Sequence, residues 1–541
     1  MDSWTTGASL NVCDFSPDQP LQGPSDVVSA SGELMRDMMS RPWGQVSPSV
    51  YETGRLVTLA PWLLGHEDRV AYLVATQRPD GAWGVPDGYG LVPTLSATEA
   101  LLSVLIRGDQ VGDREVLIGA VRRGLRVVSG WLSETAVSAL PDTPAIEVIV
   151  PALVSLINAH LDGLGECEIG YLPIPEGMSE GPLTRIRQHL ESGAALPGKL
   201  LHALEVAGQA AASAPAVNPT SIGTVGASPA ATAAWLSGSA LSDPGHHARR
   251  YLEAVALRHG GPVPVGLPIT VFERGWVLSW LARAGIPFDV PPEMLADLRA
   301  AIGPEGTPAG AGLPPDADTT SVALYALALL GMPCEPDSLW AFETPTHFCT
   351  WQGEEGSSVS VNAHVLDAFG QYAMARPEQA HHYAAVLGRL AAWLRERQRP
   401  DGSWDDRWHA SPYYATVSCA LALHEFGGAE STVAVRSAVR WVVTTQREDG
   451  SWGRWGGTAE ETAYAMQLLL MTGHGPGDEP REEAVRRGYR YLLASADPVD
   501  GPALWHDKDL YLPLAIVRAA VLAALHLAQS SGLVVQQAGQ L

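Results

Sequence analysis

Apolar residues recur at spacings of three and four along most of the chain, as in TEALLSVLIRG (98–108), SPAATAAWL (228–236), TTSVALYALALLG (319–331) and AIVRAAVLAALHLA (515–528). That spacing lines one face of a helix. Between these segments lie Gly, Pro and Asp clusters that end helices, and alternating strand-like stretches are scarce, so the pattern predicts an all-α fold. Residues 1 to about 25 are rich in Ser, Pro, Asp and Gly without periodicity and read as a mobile leader. One block repeats: Gln77 to Gly84 is QRPDGAWG, Gln398 to Asp405 is QRPDGSWD, and Gln446 to Gly453 is QREDGSWG. Self-similarity of this kind predicts stacked helical hairpins. The Gln is expected to satisfy backbone groups at a helix end while the Trp packs over the Asp-Gly turn, a structural role.

These blocks resemble the QW repeats of terpene cyclases, whose helices form α/α toroids. Further blocks, SVYETGRLV (49–57), AIEVIVPAL (145–153), LLHALE (200–205), FERGWVL (272–278) and NAHVL (362–366), follow an order similar to that of plant and bacterial class II diterpene cyclases. The resemblance implies two toroids, β and γ. Residues 1–49 would hold the leader and the N-terminal part of the β domain, residues 50–265 the γ domain, and residues 266–541 the β domain with its acid motif.

Length and charge agree with that outline. A chain of 541 residues exceeds what one core fills, so two domains are expected. The 46% hydrophobic and 17% charged content is that of a soluble globular protein, with an unusual load of 17 Trp. A net charge of −24 with only 35 Lys and Arg leaves no basic stripe for nucleic acid. An anionic substrate would have to be held locally by a metal ion or a few placed cations. The five cysteines, Cys13, Cys167, Cys334, Cys349 and Cys419, show no paired spacing, which argues against a disulfide framework or a zinc knuckle. No signal-peptide pattern opens the chain, and no apolar run reaches the ~18 residues of a transmembrane segment, so the reading is a cytoplasmic protein.

The chemistry centres on PPDADTTSVAL, where Asp316 and Asp318 flank Ala317 just before an Ala/Leu helix. Two carboxyls this close cannot both ionise cheaply, so one keeps its proton at neutral pH. Protonating an alkene needs such a proton. The stretch resembles the DxDD motif of class II cyclases, which implies Asp318 as the general acid and Asp316 as its partner. Thr319 stands where the common motif has a third Asp. That DxDTT variant resembles drimenyl diphosphate synthases and implies bicyclisation of farnesyl diphosphate to a drimane-type product with its diphosphate retained. The alternative is conversion of geranylgeranyl diphosphate to a labdane or copalyl-type diphosphate. Three rival readings stand beside these. Asp316 could be a helix N-cap. DADTT also fits the nucleophile motif of haloacid-dehalogenase-like phosphatases, but GAGLPP (310–315) is not the strand that motif follows. The toroids could also form a catalytically silent binding scaffold.

No Asp-rich class I ionisation motif is present, since Asp405 and Asp406 run into Arg407, Trp408 and His409. A zinc site of Asp406, His409 and Cys419 does not match prenyltransferase spacing. The resemblance points to Mg2+ at Glu205 and Glu147, and to Lys508 in LWHDKDLYLP as a diphosphate contact. Trp351, Tyr413, Tyr414, Trp505 and Tyr511 are candidates to stabilise a carbocation. Plant relatives carry an Asn before the block matching FERGWVL; the loop GGPVPVGLPITV (260–271) has none, so Asn362 and His364 are the substitutes for a terminating base.

Overall fold

A computed structural model of the chain describes residues 24–134, 140–164, 170–354, 356–473, 478–495 and 501–534. The expected leader lies almost wholly outside the described residues, as do Cys13 and Cys167. Cys334, Cys349 and Cys419 are free thiols.

The helices sort by how much of their surface is apolar. Ala317–Leu329, Val359–Ala375, Pro412–Phe426 and Ala459–Met471 are buried on nearly every side. A helix apolar all round must be enclosed by other helices. Together with Thr270–Arg283 and Leu514–Ser530 they close a ring of six, each packed on the next and the last on the first. Outer helices are amphipathic: Thr432–Thr444 buries only Ala434, Val435, Ala438 and Val442 and rests on the ring by that stripe. The helix Pro24–Ser40 packs on Leu514–Ser530, so the described start of the chain belongs to this ring. A second ring closes through Val50–Leu59, Leu91–Arg107, Ile146–Leu164, Gly198–Ala211 and Pro229–Trp235, each packed on the next and the last on the first, with its own core from Tyr51 to Val206. The fold is all-α, two α/α toroids. Contrary to the reading of the apolar runs, Ile146–Gly163 is long and apolar enough to cross a membrane; it is an inner helix of the second ring, 56% buried.

All three repeats fold alike. Gln77, Gln398 and Gln446 each donate Nε2 to the carbonyl of the turn glycine, Gly81, Gly402 or Gly450, and to a carbonyl of the following outer helix, Ala120, Ala434 or Ala484. Trp83, Trp404 and Trp452 are fully buried and donate Nε1 to Leu73, Leu394 and Val442. The turn needs glycine: at Gly450, φ is +91° and a Cβ would lie 2.7 Å from the Arg487 carbonyl oxygen.

Two small hairpins shape the junction between the rings. Thr307–Pro308 pairs antiparallel with Pro315–Asp316, and Trp505–His506 with Leu510–Tyr511. The tip of the second, Asp507 to Asp509, reaches into the other ring. Asp509 accepts from Ser49 Oγ at 2.7 Å and Tyr51 N at 3.0 Å. Lys508 Nζ lies 2.9 Å from both Glu52 and Glu205 and donates to Ser228 Oγ and the His202 carbonyl, both at 2.9 Å.

Candidate active site

Between the two rings lies a cavity of about 470 Å³, within the ~300–1,000 Å³ usual for small-molecule sites. Asp316, Asp318 and Thr319 line it. The short Pro315–Asp316 strand delivers Asp316 in extended conformation to the N-cap of Ala317–Leu329, where its Oδ1 accepts the Thr319 N–H at 2.6 Å. Burial pushes the Asp316 carboxyl up to about 8, hydrogen bonds from Thr319 pull it back, and the neighbouring Asp318 charge adds to the rise. This group therefore holds a proton at pH 7. Asp318, in the first helical turn, has its Oδ1 2.6 Å from His364 Nδ1 on Val359–Ala375. Burial alone would lower the imidazole, but the Asp318 carboxylate overrides it and the net shift is upward. The cap reading is thus correct in geometry, yet the capping carboxyl is also half of a carboxyl pair backed by an imidazole.

The cavity walls are aromatic: Phe272, Trp351, Trp408, Tyr414, Trp505 and Tyr511. Tyr414 and Trp505 meet at 4.8 Å between ring centroids, and Trp351 packs edge-on to Trp408 at 5.1 Å. Polar groups lie elsewhere on the lining. Lys199 is exposed, Arg407 pairs with Asp142 at 2.9 Å and Glu354 at 2.6 Å, and Glu147 is exposed. His202 sets one ring nitrogen 2.6 Å from the Gly226 carbonyl and the other 2.8 Å from Asp507. Two acceptors on one imidazole call for two N–H donors, and despite burial the Asp507 charge raises its pKa.

The squalene-hopene cyclase C-terminal domain family matches residues 354–510. Over 500 residues the chain is 43% identical to an ent-copalyl diphosphate synthase of Streptomyces sp. strain KO-3988, covering 92% of this chain and 95% of that one. It is 42% identical over 527 residues to a labda-7,13-dienyl diphosphate synthase of Streptomyces clavuligerus, with 94% of each chain covered. The solved structure of ent-copalyl diphosphate synthase from Streptomyces platensis superposes with a TM-score of 0.88 at 43% identity, over 93% of this chain and 99% of the other. The chain belongs to the class II terpene cyclases.

In this cyclase the residues singled out from sequence divide. Asp316, Asp318, Thr319, Trp351, Tyr414, Trp505, Tyr511 and Glu147 all line the cavity. Tyr413 does not; it packs on Trp441 at 4.7 Å. Asn362 is fully buried, with its amide bound to the Phe348 and Ser358 backbone, so it reaches no substrate. His364 stands behind Asp318 rather than on the cavity lining. Lys508 and Glu205 are each other's partners: Glu205 Oε1 accepts from Lys508 and from Tyr51 Oη at 2.7 Å, and neither residue lines the cavity. The Lys508 ammonium is therefore a buried structural cation, its pKa raised by Glu205 and Glu52 against the effect of burial. Asp406 caps the helix Val359–Ala375 through Ser358 and Ser360, and His409 binds Glu460; among the described residues no three His, Cys, Asp or Glu groups converge on a metal position. Sequence reading missed Phe272, Trp408, Arg407, Lys199 and His202. Phe272 sits inside the FERGWVL block, and Arg407 and Trp408 lie just beyond the end of the second repeat; those were the available signals.

Proposed function

We propose that this class II cyclase converts geranylgeranyl diphosphate to a labdane or copalyl-type bicyclic diphosphate, adding a proton to the terminal alkene and leaving the carbon to diphosphate bond intact. The observation that carries the chemistry is the Asp316–Asp318 pair, with its imidazole, opening on an aromatic-walled cavity. The carboxyl pair shares a proton, and Asp318 is the donor to the alkene. His364, bonded to Oδ1 at 2.6 Å, fixes the Asp318 carboxyl in place. The tertiary cation is attacked in turn by the internal alkenes, and loss of a proton ends the reaction with no net change in composition. Aromatic faces stabilise each cation by ~0.5–2 kcal/mol.

The C20 substrate is favoured over farnesyl diphosphate because relatives 43% and 42% identical to this chain are named as ent-copalyl and labda-7,13-dienyl diphosphate synthases. The drimenyl reading rests on Thr319, whose N–H serves Asp316 and so bears on the acid rather than on chain length. Lys199 and Arg407 are the cations proposed for the diphosphate. Mg2+ held by one or two carboxylates and substrate phosphate fits Glu147, which lines the cavity; it would offset the diphosphate charge. It does not fit Glu205, which faces the Lys508 ammonium.

Equal concentrations of geranylgeranyl and farnesyl diphosphates, followed by mass spectrometry of intact diphosphate products, test this. Higher kcat/KM for the C20 chain with a cyclised diphosphate is expected. Preference for farnesyl diphosphate would overturn the chain length, and release of inorganic phosphate would overturn the reaction class.

A further inference from the structure

Tyr414 and Trp505 stand on a second layer of groups that the protonation step does not use. Glu460, 3% exposed, lies in the first turn of Ala459–Met471. Its Oε1 accepts three hydrogen bonds, from Trp505 Nε1 at 2.8 Å, Tyr464 Oη at 3.0 Å and His409 Nε2 at 3.1 Å. All three rings belong to the aromatic cluster around Tyr414: His409 stacks on Tyr414 at 4.6 Å, and Tyr464 meets it at 5.4 Å.

His409 Nδ1 accepts the Ser411 N–H at 3.0 Å, so its Nε2 is the nitrogen that donates to Glu460. Tyr464 stays a phenol, its pKa raised by burial and by the Glu460 charge. Among the described residues no Lys or Arg pairs with Glu460; its one ion-pair-distance partner is His409. A carboxyl group is therefore set one indole away from the cavity, with three hydrogen-bond donors on one oxygen and, among the described residues, no Lys or Arg paired with it.

We propose that Glu460 is a positioning residue whose charge, acting through the indole of Trp505, stabilises the carbocations formed during cyclisation. An indole N–H bonded to a carboxylate is fixed in place, and the π face of the ring becomes more negative; Trp505 lines the cavity. The inference rests on the cavity being the site of cyclisation.

Because all three donors converge on Oε1, E460Q can present an amide oxygen to them and remove the charge alone, whereas E460L removes both. With the full chain and geranylgeranyl diphosphate, E460Q should lower kcat about 10- to 100-fold and leave KM within about twofold. Part of the flux should divert to partly cyclised or water-quenched diphosphates. W505F breaks the link, so E460Q/W505F should be about as slow as W505F alone. Wild-type kcat and products in E460Q, with loss only in E460L, would reduce Glu460 to a structural anchor and overturn the proposal, as would full additivity with W505F. If E460Q loses its native circular dichroism, E460D decides: recovery of the product pattern relative to E460L supports the charge, and equal damage overturns it. A wild-type protein that leaves geranylgeranyl diphosphate uncyclised would instead reject the functional reading beneath the proposal.

Discussion

At Asp316 one carboxyl both starts a helix and stores a proton, and the second role follows from the burial that the first imposes. Its raised pKa, about 8, has a definite sign: the proton is present below pH 8 and lost above it. We expect kcat to fall about tenfold per pH unit above about pH 8, and D316N to lose that limb along with most of the rate. Stability linked to this group has the same direction. The folded pKa exceeds the ordinary value, so its contribution is full below about pH 4 and declines as pH rises towards 8, a trend that urea titrations of wild type against D316N will show or refute. D318N should cut kcat by about 10²- to 10⁴-fold while substrate still binds, since an amide keeps the shape and has no acid proton. Turnover within tenfold of wild type would assign the donor elsewhere. The acid motif was legible because Asp316 and Asp318 are neighbours in sequence; His364 was named for another role, since nothing in the chain says that it meets Asp318 across 46 residues.

The repeated hairpin turn is where sequence and structure agree most closely, because everything it needs is local. Gln, Gly and Trp within eight residues determine two carbonyl contacts, a left-handed turn and a buried indole at each copy. What the repeats could not show is ring closure, which depends on the inner helices being apolar on every side. An all-apolar helix has no face that identifies its neighbour. Replacing Gln446 by Leu leaves the Gly450 and Ala484 carbonyls without their donor, at a cost of ~1–3 kcal/mol. A fall in Tm of roughly 2–4 °C per kcal/mol is expected for a unit of this size. The kcat of the remaining folded protein should be unchanged, and a selective loss of rate would give this turn a part in the chemistry.

Across the whole molecule, the two toroids are joined by a loop whose sequence looked like a ligand site. Lys508 and Glu205 are 303 positions apart, and without the fold Lys508 reads as a diphosphate contact and Glu205 as a magnesium ligand. Folded, they meet with Glu52 away from the cavity lining, and burial pushes the Glu52 carboxyl up in spite of the Lys508 charge. Two carboxylates around one ammonium in a dry junction make removal of the ammonium costly, because two like charges are then left facing each other. K508M should therefore destabilise the protein by ~3–5 kcal/mol. The deficit should be largest at pH 8 and shrink towards pH 5 as Glu52 takes up a proton. Adding E52Q to K508M should recover part of it by removing one of the two uncompensated charges. Thermal melts at both pH values measure this directly, while kinetics below the melting range separate it from substrate binding. If Lys508 instead held the diphosphate, K508M would raise KM with little change in Tm at either pH, and the junction would have to draw its stability from Asp509, Ser49 and Tyr51 alone.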